Sequence, residues 1–200
     1  MGTPAATATG TAVPPAFSFN LDIGAVGVAG GATYADGAFS VRGSGAGIEG
    51  SVDAFHYIDL PLVGDGQIVA RVTGQDSGNM GAKAGVMVRD TLDPSSPFAS
   101  MMLTPGNGVV FQRRANPGAV AVDTALNGVA APSWIKLTRT GSVLTGYISG
   151  DGKVWTLAGS GTVALHTVAY IGLAVTSRDN LSLNTAVFDH INIAGIGPAT

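Results

Sequence analysis

Five residues of this chain combine strong hydrogen-bonding charge with strand-like surroundings: Asp53, Arg71, Lys83, Arg89 and Arg114. A carboxylate among guanidinium and ammonium groups can grip the polar groups of a ligand, or close on its neighbours as a buried ion pair. Asp53 opens a β-branched and aromatic run, so both readings stand: a ligand-facing carboxylate, or a pair with Arg71, Lys83 or Arg89. Tyr57, Met87, Trp134 and Tyr147 would add apolar surface for a flat ring. Hydrolysis by paired carboxylates would have to rely on aspartate, because Glu49 is the only glutamate. Asp53, Asp65, Asp90, Asp151 and Asp189 are conceivable, yet no two share a close motif on one strand. Asp65 and Asp151 each lie in a Gly-Asp-Gly turn, which already explains them.

Other chemistries find less support. Gly45-Ala46-Gly47-Ile48-Glu49-Gly50 matches a dinucleotide-binding glycine pattern, but Val52-Asp53-Ala54-Phe55-His56-Tyr57 follows where a helix N-terminus would have to meet the pyrophosphate. These glycines are expected in a loop between strands. His56, His166 and His190 lack the spacing of a zinc site, and His56 reads as a packed strand histidine. No Gly-x-Ser-x-Gly elbow occurs. With no cysteine, disulfides and thiolate sites are excluded. No cofactor is expected, although calcium stays open at loop carboxylates around Asp22, Asp36 or Asp189.

The elements that must position these groups are strands. Thirty glycines and ten prolines among 200 residues, with 46% hydrophobic and 12% charged residues, describe short strands broken by turns. The net charge of -3 provides no global field for nucleic acid, and no apolar run is long enough to span a bilayer. The start lacks a basic-then-apolar leader, so no signal peptide is expected in this sequence. Residues 1–16 and 195–200 read as linkers around a single domain at 17–194.

Strands are expected at 39–42, 52–60, 67–73, 83–89, 98–104, 108–114, 134–140, 143–149, 155–158, 168–176 and 186–193. Tight turns should lie at Thr140-Gly141-Ser142 and around Asp151-Gly152. Alternation sends Ala84, Val86 and Val88 to one face and Lys83, Met87 and Arg89 to the other. It likewise separates Ile68, Ala70 and Val72 from Gln67, Val69 and Arg71. Leu144 and Ile148 oppose Thr145 and Tyr147. The expectation is an all-β, two-sheet antiparallel sandwich whose open face on one sheet mixes Arg, Lys, Met, Thr and an aromatic residue.

From Phe39 to Ile191 the chain resembles a bacterial family of concanavalin A-like domains known as "regulation of enolase protein 1"-like. The segments that carry the resemblance include Asp53-Ala54-Phe55-His56-Tyr57, Gly64-Asp65-Gly66 and Ala82-Lys83-Ala84-Gly85-Val86-Met87-Val88-Arg89. Arg113-Arg114, Trp134-Ile135-Lys136-Leu137 and Gly172-Leu173-Ala174-Val175-Thr176-Ser177 follow in the same order. The resemblance implies a jelly roll whose concave sheet holds a poly- or oligosaccharide. It implies a non-catalytic carbohydrate-binding module, monomeric, secreted or at the cell surface, and linked to a catalytic domain in a multidomain bacterial protein. Asp53, Arg71, Lys83, Arg89 and Arg114 would then hydrogen-bond the glycan, with Tyr57, Met87, Trp134 and Tyr147 against pyranose faces. Glu49-Gly50 and Asn79-Met80-Gly81 depart from the family pattern, which places aromatics there. The alternatives are a glycoside hydrolase or lyase using Asp, and a structural or adhesion spacer.

Overall fold

Apolar residues at every second position oblige each strand to bury one face, and two sheets doing so against each other make a sandwich. The computed structural model describes residues 16–195 in this form. The first six strands are β1 (Phe19–Ile23), β2 (Gly31–Ala35), β3 (Ala38–Gly45), β4 (Phe55–Val63), β5 (Gly66–Asp76) and β6 (Lys83–Arg89). Next come β7 (Phe98–Thr104), β8 (Gly108–Arg114), β9 (Val122–Leu126) and β10 (Ser133–Thr140). The chain finishes with β11 (Val143–Ser149), β12 (Thr156–Thr162), β13 (Val168–Thr176) and β14 (Asp179–Ala194). Sheet 1 has the order β1-β4-β13-β6-β7-β8-β9 and sheet 2 the order β12-β11-β10-β5-β14-β3-β2. Every pairing is antiparallel. The fold is a two-sheet jelly roll.

The main core lies between the sheets. Ile58, Leu60, Val86, Val88, Met101, Leu103, Ile171 and Leu173 of sheet 1 meet Ile68, Val72, Ile135, Leu137, Leu144 and Phe188 of sheet 2. Each such side chain stabilises the fold by about 1.5–3 kcal/mol through removal from water. At Gly85 a Cβ would run into the Met101 carbonyl oxygen, so the β6–β7 approach requires glycine there.

The eleven expected strands all exist, and their facing residues follow the alternation. Three more, β1, β2 and β9, carry too few buried residues for the pattern to show; β9 is exposed along most of its length. The strand expected from Val52 begins at Phe55, because Gly47 and Ala54 form a bridge that keeps residues 48–53 in a loop. Thr140 pairs with Val143 around Gly141-Ser142, as a two-residue hairpin requires. The glycine-rich 45–50 segment contains no helix. The linker expectations fall on residues that, apart from Ala16 and Gly195, lie outside those described.

One expectation is corrected by topology. Arg71 and Tyr147 stand on sheet 2, whereas Lys83, Met87 and Arg89 stand on sheet 1, so no single open face holds them all. Strand alternation separates inner from outer residues without saying which sheet each strand joins.

Candidate functional site

The outer face of sheet 1 bears its own core. Ile23, Ile48, Phe55, Tyr57, Met87, Phe98, Met102 and Ala174 pack together there, and Leu92 and Ala121 close over them. Asp53 descends from the 46–54 loop into this layer. Arg114 donates from Nη2 to Asp53 Oδ1 at 2.6 Å and from Nη1 to Oδ2 at 2.9 Å, while Arg89 Nη1 lies 3.3 Å from Oδ2. All three side chains are sealed from solvent.

The remaining guanidinium donors hold the covering loops in place. Arg114 donates to the carbonyls of Gly50, Pro94, Ser96 and Ala119, and Arg89 donates to those of Thr91 and Asp93. Their cations also rest on aromatic rings, Arg89 over Phe55 at 5.2 Å and Arg114 over Phe98 at 5.0 Å. Burial lifts the Asp53 carboxyl above its ordinary value, against the hydrogen bond from Arg114 and the charges of Arg89 and Arg114. Tyr57 donates to the Met87 carbonyl at 3.0 Å and is likewise buried.

This corrects the reading of Asp53, Tyr57, Met87, Arg89 and Arg114 as an open binding surface. Two guanidiniums and one carboxylate anchor three loops, and the loops in turn exclude solvent from them. The ion-pair reading of Asp53 with Arg89 is the one the structure supports, with Arg114 as the stronger partner.

Beside this closed layer, Glu49, Asp123 and Arg178 reach water around a buried Lys83. Lys83, at the start of β6, donates to Gln112 Oε1 at 3.2 Å and lies 3.4 Å from Glu49 Oε1. Arg178 Nε meets the same Glu49 oxygen at 3.0 Å and is half exposed. Asp123 stands opposite Gln112 in the β8–β9 register. Crowding by these neighbours strips water from the Asp123 carboxyl and raises it, against the Lys83 and Arg178 charges and a hydrogen bond from Gln112 and with the Glu49 charge. Along the floor, the Ser100 hydroxyl is buried without a hydrogen-bond partner, and Gln112, next to it in register, turns its amide to the Asp123 carboxylate. The cluster therefore offers two carboxylates, two cations, an amide and an unused hydroxyl within one region.

Of the nine expected site residues, only Lys83 belongs to this cluster. Glu49, Gln112, Asp123 and Arg178 were not foreseen. Gln112 was within reach, since alternation along β8 puts it on the same face as Arg114. Glu49 carried a hint as the single glutamate, at a departure from the family pattern. Asp123 and Arg178 gave none, lying on an exposed edge strand and in the turn after β13.

Arg71, Trp134 and Tyr147 occupy the outer face of sheet 2. Arg71 donates from Nε to Asp189 Oδ1 at 2.8 Å and sits 5.7 Å from the Trp134 ring. The His190 ring lies 5.0 Å from that indole between centroids, and Gly152 leaves room for it where a Cβ would clash at 2.9 Å. Trp134 is thus largely engaged by its own chain. His56 is buried, with Nδ1 2.8 Å from Asp22 Oδ1 and Nε2 2.7 Å from Asn20 Oδ1, matching the packed-histidine expectation. Two carboxylates considered for calcium, Asp22 and Asp189, have these polar partners, and no group of three His, Asp or Glu suited to a metal occurs among the described residues.

No protein-family model matches the sequence, and no curated protein matches it. Solved structures do. A functionally unknown protein from Saccharomyces cerevisiae superposes with a TM-score of 0.66 at 15% identity, over 84% of this chain and 92% of that one. The carbohydrate-binding module CBM66 from Bacillus subtilis gives 0.59 at 16% identity, over 89% and 96%. A GH43 protein from Bacillus licheniformis gives 0.58 at 12% identity, over 81% of this chain but 37% of its own length. At such identities the likeness establishes the architecture: a jelly-roll sandwich shared with a carbohydrate-binding module and with glycoside hydrolases.

Proposed function

We propose that this chain is a non-catalytic carbohydrate-binding module whose glycan contact is the cluster of Glu49, Lys83, Gln112, Asp123 and Arg178. One observation carries the reading: the solvent-reaching Glu49, Asp123 and Arg178 adjoin the buried Ser100 hydroxyl, which has no partner. Sugar hydroxyls donate and accept together, so mixed acceptors and donors in one place suit them. Binding there lets the buried Ser100 hydroxyl gain the partner it lacks.

Further support comes from scale, since this chain and the B. subtilis module span nearly the same length. A hydrolytic role for Asp53 is disfavoured because both its oxygens accept from Arg114. The module reading extends to a secreted bacterial protein in which a separate domain performs catalysis.

A glycan array of the intact chain tests the proposal, followed by titration of the best ligand into Gln112→Ala and Arg178→Ala. Each variant is expected to weaken binding by roughly tenfold or more, the scale of a lost charged or buried hydrogen bond. Unchanged affinity in both, or no glycan bound, would overturn it.

A further inference from the structure

The outer face of sheet 2 presents a different arrangement. Across it runs a row formed by Asn192, Val69, Lys136, Tyr147 and Leu157 in successive strands β14, β5, β10, β11 and β12. The Lys136 ammonium sits 4.5 Å from the Tyr147 ring centroid and 4.3 Å from that of Trp155. No hydrogen bond or ion pair within the protein holds this ammonium among the described residues, and the protein groups its charge meets are π faces.

Both rings and the lysine are partly exposed, and Leu157 and Val154 beside Trp155 are open to solvent. The next row adds hydroxyls, with Thr138 opposite Thr145 and Thr145 Oγ1 2.9 Å from Ser160 Oγ. Asp189 is the acid on the adjoining row, and Arg71 occupies it. With Arg71 and Asp189 paired, Lys136 is the charge without a counter-ion on these rows.

We infer that Lys136, Tyr147 and Trp155 form a second binding site, for an acidic sugar unit such as a uronate. A pyranose carries C–H groups on one face that stack on an indole or phenol, and a uronate adds a carboxylate. Trp155 and Tyr147 take the ring face, Lys136 supplies the counter-charge, and Thr138, Thr145 and Ser160 meet the hydroxyls. Burial already lowers the Lys136 ammonium below its ordinary value, and an anion would restore it. A neutral sugar could use the rings but would leave the lysine without a partner. This site lies on the sheet opposite the cluster proposed above, so the two can fail separately.

The test is calorimetric titration of the intact chain with tetragalacturonate and with the neutral galactose tetramer. Tetragalacturonate is expected to bind, to weaken as sodium chloride rises from about 50 to about 500 mM, and to outbind the neutral tetramer by roughly tenfold. Lys136→Met should remove that preference and Trp155→Ala should abolish binding, while Trp155→Phe retains most of it and controls for folding. The inference is overturned if tetragalacturonate does not bind, if the neutral tetramer binds equally well, or if Lys136→Met has no effect. Loss with Arg178→Ala and retention with Lys136→Met would move acidic sugars to the other sheet, overturning this site while leaving the module reading intact.

Discussion

The two outer faces of the sandwich use the same kinds of residue to opposite ends. On sheet 1, Arg89 and Arg114 lie over Phe55 and Phe98 and share Asp53, completely enclosed by loops. On sheet 2, Arg71 lies beside Trp134 and pairs with Asp189 in a setting one-third exposed at the arginine. Both are cation, carboxylate and aromatic ring. The first holds loops and forms part of the folded interior, while the second decorates a surface that water screens. The difference lies in the cover: residues 46–54, 90–97 and 115–121 supply the carbonyls that saturate the first pair of guanidiniums.

Breaking the buried set should have the largest effect. Arg114→Met leaves Asp53 with one cation and frees four loop carbonyls, and should cost about 3–5 kcal/mol. Denaturant unfolding would read this as a lower midpoint, and a midpoint within error of the parent would show that the loops hold without it. Next comes Asp59, which faces outward on β4, is buried, and has no partner for either oxygen. Burial raises its carboxyl from 3.8 to about 7, partly offset by the Arg89 charge. The folded chain thus holds this proton more tightly than the unfolded one, so stability falls as pH rises from about 4 to about 7 and then levels off. Asp59→Asn should remove that loss and stabilise the protein at pH 8, by up to about 4 kcal/mol. Melting curves of the two proteins should converge near pH 4, and a constant gap across that window would contradict the assignment. The smallest effect is expected on the open face, where Arg71→Met should change stability by less than about 1 kcal/mol. A loss as large as that of Arg114→Met would erase the contrast between the faces.

The sequence carried the architecture through its alternation: Ala84, Val86 and Val88 do face the core, and Lys83, Met87 and Arg89 do not. It was less informative about what lies beyond a strand's outer side. An arginine that points away from the core looks the same in sequence whether it meets water or a folded-over loop. The loop that covers Arg114 comes partly from Gly50 and Asp53, more than sixty residues earlier, and such a contact leaves no local trace. For the same reason Glu49, Gln112, Asp123 and Arg178 stayed hidden as a group: they come from four separate stretches that meet only through the order of strands. His56 was easier, because a histidine between Phe55 and Tyr57 on a strand already implies packing.

The central claim is that glycan binds at the open cluster beside the sealed network. Amide chemical-shift mapping of the isotopically labelled chain, titrated with the best glycan from the array, addresses it most directly. The account predicts shifts concentrated at Glu49, Lys83, Gln112, Asp123 and Arg178, with the amides of Asp53, Arg89 and Arg114 moving much less. Saturable binding with no shift at those five positions would contradict it.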